Sequence, residues 1–589
     1  MFCIYGKYRY EKPLRTLVCF KSAEIMDFFR EIQSDTRGFW IGYVCYEALN
    51  KLESKTPLSE FILFSKCEKW EAKQENIKQK NDSVFSIQKP FFYPNIQKNF
   101  SESAYMQAFS RIKEELSAGN TYQVNFAQEL QLSSHCSGFE IFKALATRQK
   151  TSYCCYFKSA FMEIISFSPE LFFKIKGEKI TFQPMKGTIK RGANKQEDKN
   201  LKKLIKSDFK SQSENLMIVD LLRNDMSQII KLGSLRIPKM LKILKFKTLF
   251  QMVSTLKACL NTHDLGTIFS AVFPCGSVTG APKFHTMRII ESLEQNKRGV
   301  YCGALGVIGD KKTIFSVPIR TLSKQNDESF YRYGVGSGVV WDSNVKDEFE
   351  ELQLKAQFLT PTLNFMLFET MLMHKNRIFL LHKHKKRLLN SAKALGFSTH
   401  KLCFLETIKE VEAPKDLSLE DFLILNSPKL ESLWGEAKGI PYLQNLHGVF
   451  RVHLVLHKNG DFAITQSPID TITSQKVRLA TLQLSSQNDL LYHKTTLRTE
   501  RKIPKGYFDV LYFNERNELC EGARSNVMLL KNGTFLTPPI SCGILGGTLR
   551  EVLLECGILK EQVLHKSDLK NVQLYLLNAL RGILPVELV

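Results

Sequence analysis

A proline-marked break constrains this chain more than any other feature. At Phe358–Leu363 the segment FLTPTL stops a charged helix, DEFEELQLKAQF, because proline lacks the N–H that a continuing helix needs. After it the pattern restarts as a strand–turn–strand, LFETMLMHKNRIFLL, followed by a helix, HKHKKRLLNSAKALG. The 589 residues therefore read as two unlike α+β units in tandem, 1–358 and 364–589, with 359–363 as linker. In the first unit, SESAYMQAFSRIKEELSAG has the apolar spacing of an amphipathic helix ended by Gly119, and residues 199–293 are helix-rich. Hairpins are expected around Gly177-Glu178, Gly309-Asp310, Asn459-Gly460 and Asn532-Gly533. The polar stretch Glu71–Asp82 reads as a loop or a short exposed helix.

Composition narrows the class. Hydrophobic residues at 43% and charged residues at 24% exclude a mainly disordered chain. No apolar run approaches the roughly 18 residues that span a bilayer, so no membrane partner is expected. The start, MFCIYGKYRYEKPLR, lacks a secretory apolar core and cleavage site. The 14 cysteines form no C-x-x-C pair. These features together read as a soluble, cytoplasmic protein with reduced thiols. Lys and Arg number 82 against 59 Asp and Glu, a net +23, yet the densest stretch, Lys186–Lys210, interleaves acids and lacks stacking aromatics. No nucleic-acid partner is expected.

Four features of the first unit carry chemistry. In SENLMIVDLLRND, Glu214 falls in line with Met217, Ile218 and Leu221, which puts a carboxylate on an apolar helix stripe. In DEFEELQLKA, Glu348, Glu351 and Lys355 share one helix face. Carboxylates from two helices suit magnesium, although each helix alone equally describes a capped or ion-paired surface. PMKGT places Lys186 between Pro184 and Gly187, in a rigid turn where an enclosed amine serves as nucleophile and an exposed one is ordinary surface. CGSVTGAPK offers small residues and backbone N–H groups to an anion but has no Walker spacing.

Taken in order, YQVNFAQ, SPELF, PMKGT, ENLMIVDLLRND, GSVTGAPK, RGVYCGALG, PIRTL and GVGSGVVWDSNVKDEFEELQLKA resemble the chorismate-utilising enzymes over about Asn120–Ala356. The weaker match of RGFWIGYVCYEAL extends this toward the N-terminus. The resemblance implies a two-sheet α/β domain in which Glu214, Glu351 and nearby Glu348 bind Mg2+ and so hold the ring carboxylate of chorismate. Tyr301 and Arg320 would take the enolpyruvyl carboxylate, with Gly336 and Gly338 bringing backbone donors close. Thr279, Gly280, Lys283 and Lys355 would line the substrate site, and Glu170 would be the general acid for the departing hydroxyl. Lysine in the P-x-K-G-T position characterises the aminodeoxychorismate synthase component I subgroup, where anthranilate-forming members carry Ala. Lys186 would add to the ring before ammonia does. Many members have His where QMVS places Gln251, which can hydrogen-bond but not carry protons, so no acid–base role is assigned to it.

In the second unit, H-x-x-R-L at His384–Leu388, a lysine in LLYHKTTLR, E-x-x-x-S-N from Glu521 and a glycine turn in GILGGTLREVLL occur in order. Singly they read as a solvated helix, a loop carboxylate and a helix cap. As a set they resemble fold-type IV pyridoxal-phosphate enzymes, the branched-chain aminotransferase and aminodeoxychorismate lyase group. The resemblance implies pyridoxal 5'-phosphate held through its phosphate by Arg387 and the Thr548–Leu549 backbone, with Glu521 at the ring nitrogen. Lys494 would carry the cofactor as a Schiff base, with Lys502 and Lys505 as nearby alternatives. The usual proline of the glycine turn is Gly546 here.

The expected fold class is thus α+β multidomain, a chorismate-utilising two-sheet α/β domain followed by a fold-type IV domain. The implied function is bifunctional synthesis of 4-aminobenzoate for folate, by a synthase and then a pyruvate-eliminating lyase. The chain has no G-x-C-x-G nucleophile elbow, so ammonia would come from a separate glutamine amidotransferase subunit. The second unit would support a homodimer. A transaminase in the second unit and an anthranilate-forming first unit are the alternatives.

Overall fold

The computed structural model describes residues 1–50, 53–70, 86–149, 151–192, 194–245, 249–409, 411–412, 417–423, 428–436, 440, 443 and 448–589. Glu71–Asp82 lies outside them. The chain forms two compact units. One is built from Met1–Ile77, Gln97–Leu132 and Ile141–Thr360, the other from Lys78–Ile96, Ser133–Glu140 and Pro361–Val589.

In the first unit the hydrogen-bonded ladder runs unbroken through 18 strands, branching from Tyr8–Cys19, which is paired along both edges. One run continues through Ser59–Lys69, Phe39–Val44, Ala304–Gly309, Lys312–Ser316, Leu171–Lys176, Lys179–Gln183 and Leu249–Cys259. The other passes through Phe2–Tyr5, Tyr153–Lys158, Met162–Ser168, Thr321–Gln325, Tyr331–Val340 and Gln123–Ser133. The two sheets expected from sequence are therefore joined through one shared strand. Its ladder shifts register between Pro13 and Arg15, and Lys12 adopts φ 57°, so the strand bends and serves both sheets.

Between the two runs, Cys3, Tyr5, Phe157 and Ile164 from one pack on Ile41, Tyr43, Ile62 and Phe64 from the other. The outer face of the first run is covered by the helices Ile25–Ser34, Phe209–Ser227 and Leu265–Val272. Helix Ile25–Ser34 forms because Ile25, Phe28, Phe29 and Ile32 repeat at helical spacing and are all buried, and Phe29 stacks on Phe269 at 4.6 Å. Helix Glu102–Ser117 begins where the Ser101 side chain accepts the Ala104 N–H, a cap worth about 1 kcal/mol. Gly119 at φ 73° closes it.

The second unit holds a five-stranded antiparallel sheet centred on Leu367–His374 and an eight-stranded mixed sheet. Asn532 and Gly533, at φ 51° and 72°, make the tight turn between Asn526–Lys531 and Thr534–Thr537. Asp489, almost fully buried, accepts hydrogen bonds from the Tyr93 N–H at 3.0 Å, the Ser134 hydroxyl at 2.7 Å and the His135 N–H at 2.6 Å. One carboxylate thus ties two sequence-distant segments to the 3-10 turn Asp489–Tyr492 that leads to Lys494.

Candidate active sites

A cavity of about 330 Å³ in the first unit gathers most of the expected residues: Glu170, Lys186, Glu214, Tyr301, Arg320, Gly336, Gly338, Glu348, Glu351 and Lys355 all line it. Lys186 does not sit in a turn. It lies in the strand Met185–Lys190, where the register against Leu249–Cys259 slips between Met185 and Thr188. This bulge, with Gly187 at φ 81°, leaves Lys186 outside the regular ladder and aims its side chain into the cavity. Its ammonium lies 3.7 Å from Glu214, on the helix Phe209–Ser227. A Cβ on Gly338 would come within 3.0 Å of Lys186 Nζ and 3.6 Å of Glu214 Oε2, so glycine there gives the pair its room.

Glu170 is buried, one of its oxygens has no partner among the described residues, and burial pushes its carboxyl up to about 7. The Ser277 hydroxyl and the charge of Lys186 oppose that rise. Burial likewise raises Glu214 against the pull of Lys186 and Lys210. Glu351 is pushed up by burial but held below the usual carboxylate range by Lys355, whose ammonium is 2.9 Å away. Arg320, at φ 53°, has no carboxylate partner among the described residues, and burial lowers its affinity for the proton. An enclosed guanidinium without a counter-ion is a seat for an anion.

The three glutamates line the same cavity, but each is answered by a lysine. Glu348 meets Lys210 at 2.9 Å and the Ser343 hydroxyl at 2.7 Å, while its other oxygen is buried and unpartnered. Among the described residues no three metal-binding side chains are placed to enclose an ion by themselves. The donors are nonetheless hard oxygens with one left over. Such a set fits Mg2+, which takes few protein ligands and keeps its waters.

Three expected substrate-contact residues lie outside the cavity lining and have protein partners of their own. Lys283 is buried with its Nζ 2.5 Å from Asp225 and 3.2 Å from the Val272 carbonyl, so its charge is already taken. Thr279 is fully buried and donates to the Cys275 and Gly276 carbonyls. Gly280 is glycine because a Cβ would meet the Gln123 carbonyl at 1.9 Å, where Gly280 pairs across to Val124. None of the three is among the cavity-lining residues. Lys283→Ala is accordingly expected to cost about 3–5 kcal/mol by stranding Asp225, read as a lowered urea midpoint, with ligand affinity of the folded protein unchanged.

Sequence reasoning missed Lys210, Asn125 and Ser277, which also line the cavity. Lys210 stands four residues before Glu214 on one helix, and that spacing was a readable signal. Gln251 lines the cavity too, from the strand beside Lys186, with its side-chain oxygen buried and unpartnered.

In the second unit Lys494 is half-buried, whereas Lys502 and Lys505 are exposed. Burial pushes the Lys494 amine down to about 7; Glu369 opposes this, and Arg387 and Arg498 add to it. Arg387, from the helix Leu381–Leu395, donates to the Gly546 carbonyl at 3.1 Å, which sets it beside the start of helix Thr548–Glu555. Thr548 and Leu549 are buried there, and free N–H groups at a helix start favour a phosphate. Gly546 itself is open to a side chain, while Gly547 is not, because a Cβ would strike Asn526 Oδ1 at 1.9 Å. Asn526 pins the same turn by donating to the Leu545 carbonyl at 2.9 Å. The departure at Gly546 therefore removes no contact on which the turn depends.

Glu521 accepts from Arg501 at 2.6 Å, Arg498 at 3.1 Å and the Leu545 N–H at 3.1 Å. A carboxylate accepts about four such bonds, so one more donor, such as a protonated ring nitrogen, can be received. Glu369 was not read from the sequence at all. It is buried, bound to Arg387 at 2.5 and 2.9 Å and to His384 Nδ1 at 2.7 Å.

The half-buried amine of Lys186, the buried carboxyl of Glu170 and the guanidinium of Arg320, which has no carboxylate partner among the described residues, thus line one cavity. Residues 8–361 match the chorismate binding enzyme family, to which the chain belongs. Residues 366–589 match the class IV amino-transferases, so the polypeptide is a fusion of the two. Aminodeoxychorismate synthase component 1 of Bacillus subtilis (strain 168) is 34% identical over 273 residues, 46% of this chain and 58% of that protein. Anthranilate synthase component 1 of the same organism is 33% identical over 294 residues, 49% of this chain and 56% of that protein. The matched segments thus span little more than half of these relatives. The crystal structure of anthranilate synthase component I from Streptococcus pneumoniae TIGR4 superposes with a TM-score of 0.51 at 21% identity, over 60% of this chain and 92% of that one, which shows the shared fold.

Proposed function

We propose that the chain makes 4-aminobenzoate from chorismate in two steps, with residues 1–358 forming 4-amino-4-deoxychorismate and 364–589 eliminating pyruvate from it. The observation that carries this reading is Lys186 itself, a primary amine aimed into the same cavity as Glu170 and Arg320. Overall identity, 34% and 33%, does not separate the aminodeoxychorismate and anthranilate relatives; the resemblance of PMKGT to the lysine-bearing subgroup is what favours the first reading.

Arg320 and Tyr301 bind the enolpyruvyl carboxylate in this reading, and the guanidinium gains the counter-ion it lacks. Glu214, Glu348 and Glu351 would hold Mg2+, whose charge offsets the ring carboxylate. Lys186 Nζ bonds to ring C2, the ring double bonds shift toward C4, and the C4–O bond breaks. Glu170 gives the proton with which the hydroxyl leaves as water. Ammonia, delivered by a glutamine amidotransferase subunit, then bonds to C4. The double bonds shift back, the C2–N bond to Lys186 breaks, and the amine takes the proton that ammonia sheds.

In the second unit pyridoxal phosphate supplies an electron sink next to the amine-bearing carbon. Arg387 and the N–H groups of Thr548 and Leu549 hold its phosphate, and Glu521 accepts from its ring nitrogen. Lys494, an amine that exchanges protons near pH 7, takes the proton from C4. Aromatisation drives the loss of pyruvate.

The direct test supplies protein with chorismate, ammonium and Mg2+, with and without pyridoxal phosphate, and identifies products by mass spectrometry. 4-Aminobenzoate and pyruvate only with the cofactor, and aminodeoxychorismate without it, support both assignments. Anthranilate overturns the first, and amino-group exchange with 2-oxoglutarate in place of pyruvate release overturns the second. Because Glu170 is raised to about 7, its acid form is present below that pH and lost above it. The first reaction is therefore expected to slow as pH rises through about 7. Glu170→Gln should lower the rate about 10²–10⁴-fold and remove that limb from the profile.

A further inference from the structure

We propose that Glu369 is the positioning residue of the second site, the one buried anion that both aims Arg387 at the cofactor phosphate and balances the charge around Lys494. The inference rests on the pyridoxal-phosphate reading above and goes beyond it, since nothing in the sequence motifs gives Glu369 a role.

The geometry is specific. Glu369 sits in the strand Leu367–His374 and is 2% exposed, so its charge is held by protein groups and not by water. Arg387 presents Nε and Nη2 to its two oxygens at 2.9 and 2.5 Å, the forked arrangement that fixes a guanidinium plane. With that edge taken, Nη1 points to the Gly546 carbonyl at 3.1 Å, at the turn that opens helix Thr548–Glu555. The orientation of Arg387 toward the helix start is thus set from behind by Glu369. His384, one turn before Arg387 on the same helix, gives Nδ1 to Glu369 Oε2 at 2.7 Å, while burial keeps the imidazole down at about 4. A neutral ring with its proton on Nδ1 donates to the carboxylate without adding charge.

Lys494 is reached from the same strand. Its carbonyl accepts the Phe368 N–H at 3.0 Å, and its ammonium lies 5.2 Å from the centre of the Phe368 ring. The charged or titratable groups facing it are Glu369 from its strand, His384 and Arg387 from the helix, His453 from the strand Val449–Leu456, and Arg498 from the following 3-10 turn. Glu369 is the one anion in that set. Arg498 has Glu521 as its partner at 3.1 Å, so without Glu369 it is the Arg387 guanidinium and the Lys494 ammonium that would stand together unopposed.

The test is Glu369→Gln, which keeps size and hydrogen bonding but removes the charge. Two readouts are taken on apoprotein: equilibrium dialysis with pyridoxal phosphate and with unphosphorylated pyridoxal, and the pH midpoint of Lys494 labelling by an amine reagent, followed by mass spectrometry. The expected results are about a tenfold or greater loss of pyridoxal phosphate affinity, a smaller loss for pyridoxal, and a Lys494 midpoint lowered by about one to three pH units. Equal losses for both ligands, or an unmoved Lys494 midpoint, overturn the proposal. Should that variant fail to fold, Glu369→Asp carries the test. Weakened pyridoxal phosphate binding with a near-normal Lys494 midpoint supports the role, and wild-type affinity overturns it. Wild-type protein that binds no pyridoxal phosphate would sink the underlying reading instead, so the two failures are distinguishable.

Discussion

Lys186→Ala is expected to abolish aminodeoxychorismate formation, by at least about a thousand-fold, while chorismate affinity changes no more than a few-fold. Arg320 and Tyr301, the groups proposed to bind the enolpyruvyl carboxylate, line the same cavity from other segments of the chain. Two effects are folded into this variant, because Lys186 is both an amine and the cation 3.7 Å from Glu214. Removing it leaves Glu214 raised by burial with only Lys210 to oppose the rise. Lys186→Arg separates the roles. A guanidinium keeps the positive charge beside Glu214 but is always protonated and so is no nucleophile. If the lysine forms a bond to the ring, both variants fail alike. If it serves only as counter-charge, Lys186→Arg recovers much of the rate and the covalent step is wrong. Mass spectrometry of products under saturating ammonium reads both outcomes, and anthranilate from Lys186→Ala would place this residue as the switch between the two relatives' reactions.

How much of this was legible depended on the range of the interactions. Elements set by local chemistry were readable: the amphipathic helix of SESAYMQAFSRIKEELSAG, its Gly119 stop and the Asn532-Gly533 turn are short-range patterns, and the structure builds each of them. The family resemblance singled out residues that the structure gathers around one cavity in the first unit, because ordered motifs carry information that single residues do not. What escaped was fixed across the fold. The lysine of PMKGT reads as a turn residue, yet it sits on a bulge that exists only because a distant strand, Leu249–Cys259, pairs out of step beside it. Lys283 looks like a ligand residue in GAPK until helix Phe209–Ser227 brings Asp225 to it. Glu369 in LFETM looks like any strand glutamate; its partners lie 15 and 18 residues away on a helix. The shared strand Tyr8–Cys19 and the anchoring of Tyr93 and His135 by Asp489 left no periodic trace either, since pairing partners are not encoded in the spacing of one strand.

Lys494→Ala is expected to stop pyruvate release, by at least about a thousand-fold, and to leave the first reaction running, so that aminodeoxychorismate accumulates from chorismate. Lys494 is half-buried and its amine is held down to about 7, near the pH at which it must both take and return a proton. Lys502 and Lys505 are exposed and lack that environment, so neither stands in for it. Their replacement by alanine is expected to leave pyruvate release unchanged. The contrast adds a structural ground to the HKTT context and the spacing to Glu521, which favour Lys494 in the sequence. The variant also divides the two alternatives for the second unit. Under the lyase reading, accumulated aminodeoxychorismate from Lys494→Ala is converted to 4-aminobenzoate when wild-type protein is added. Under a transaminase reading, wild-type protein leaves it untouched and exchanges amino groups with 2-oxoglutarate instead. Lys494 is needed in both cases, and the fate of the intermediate decides between them.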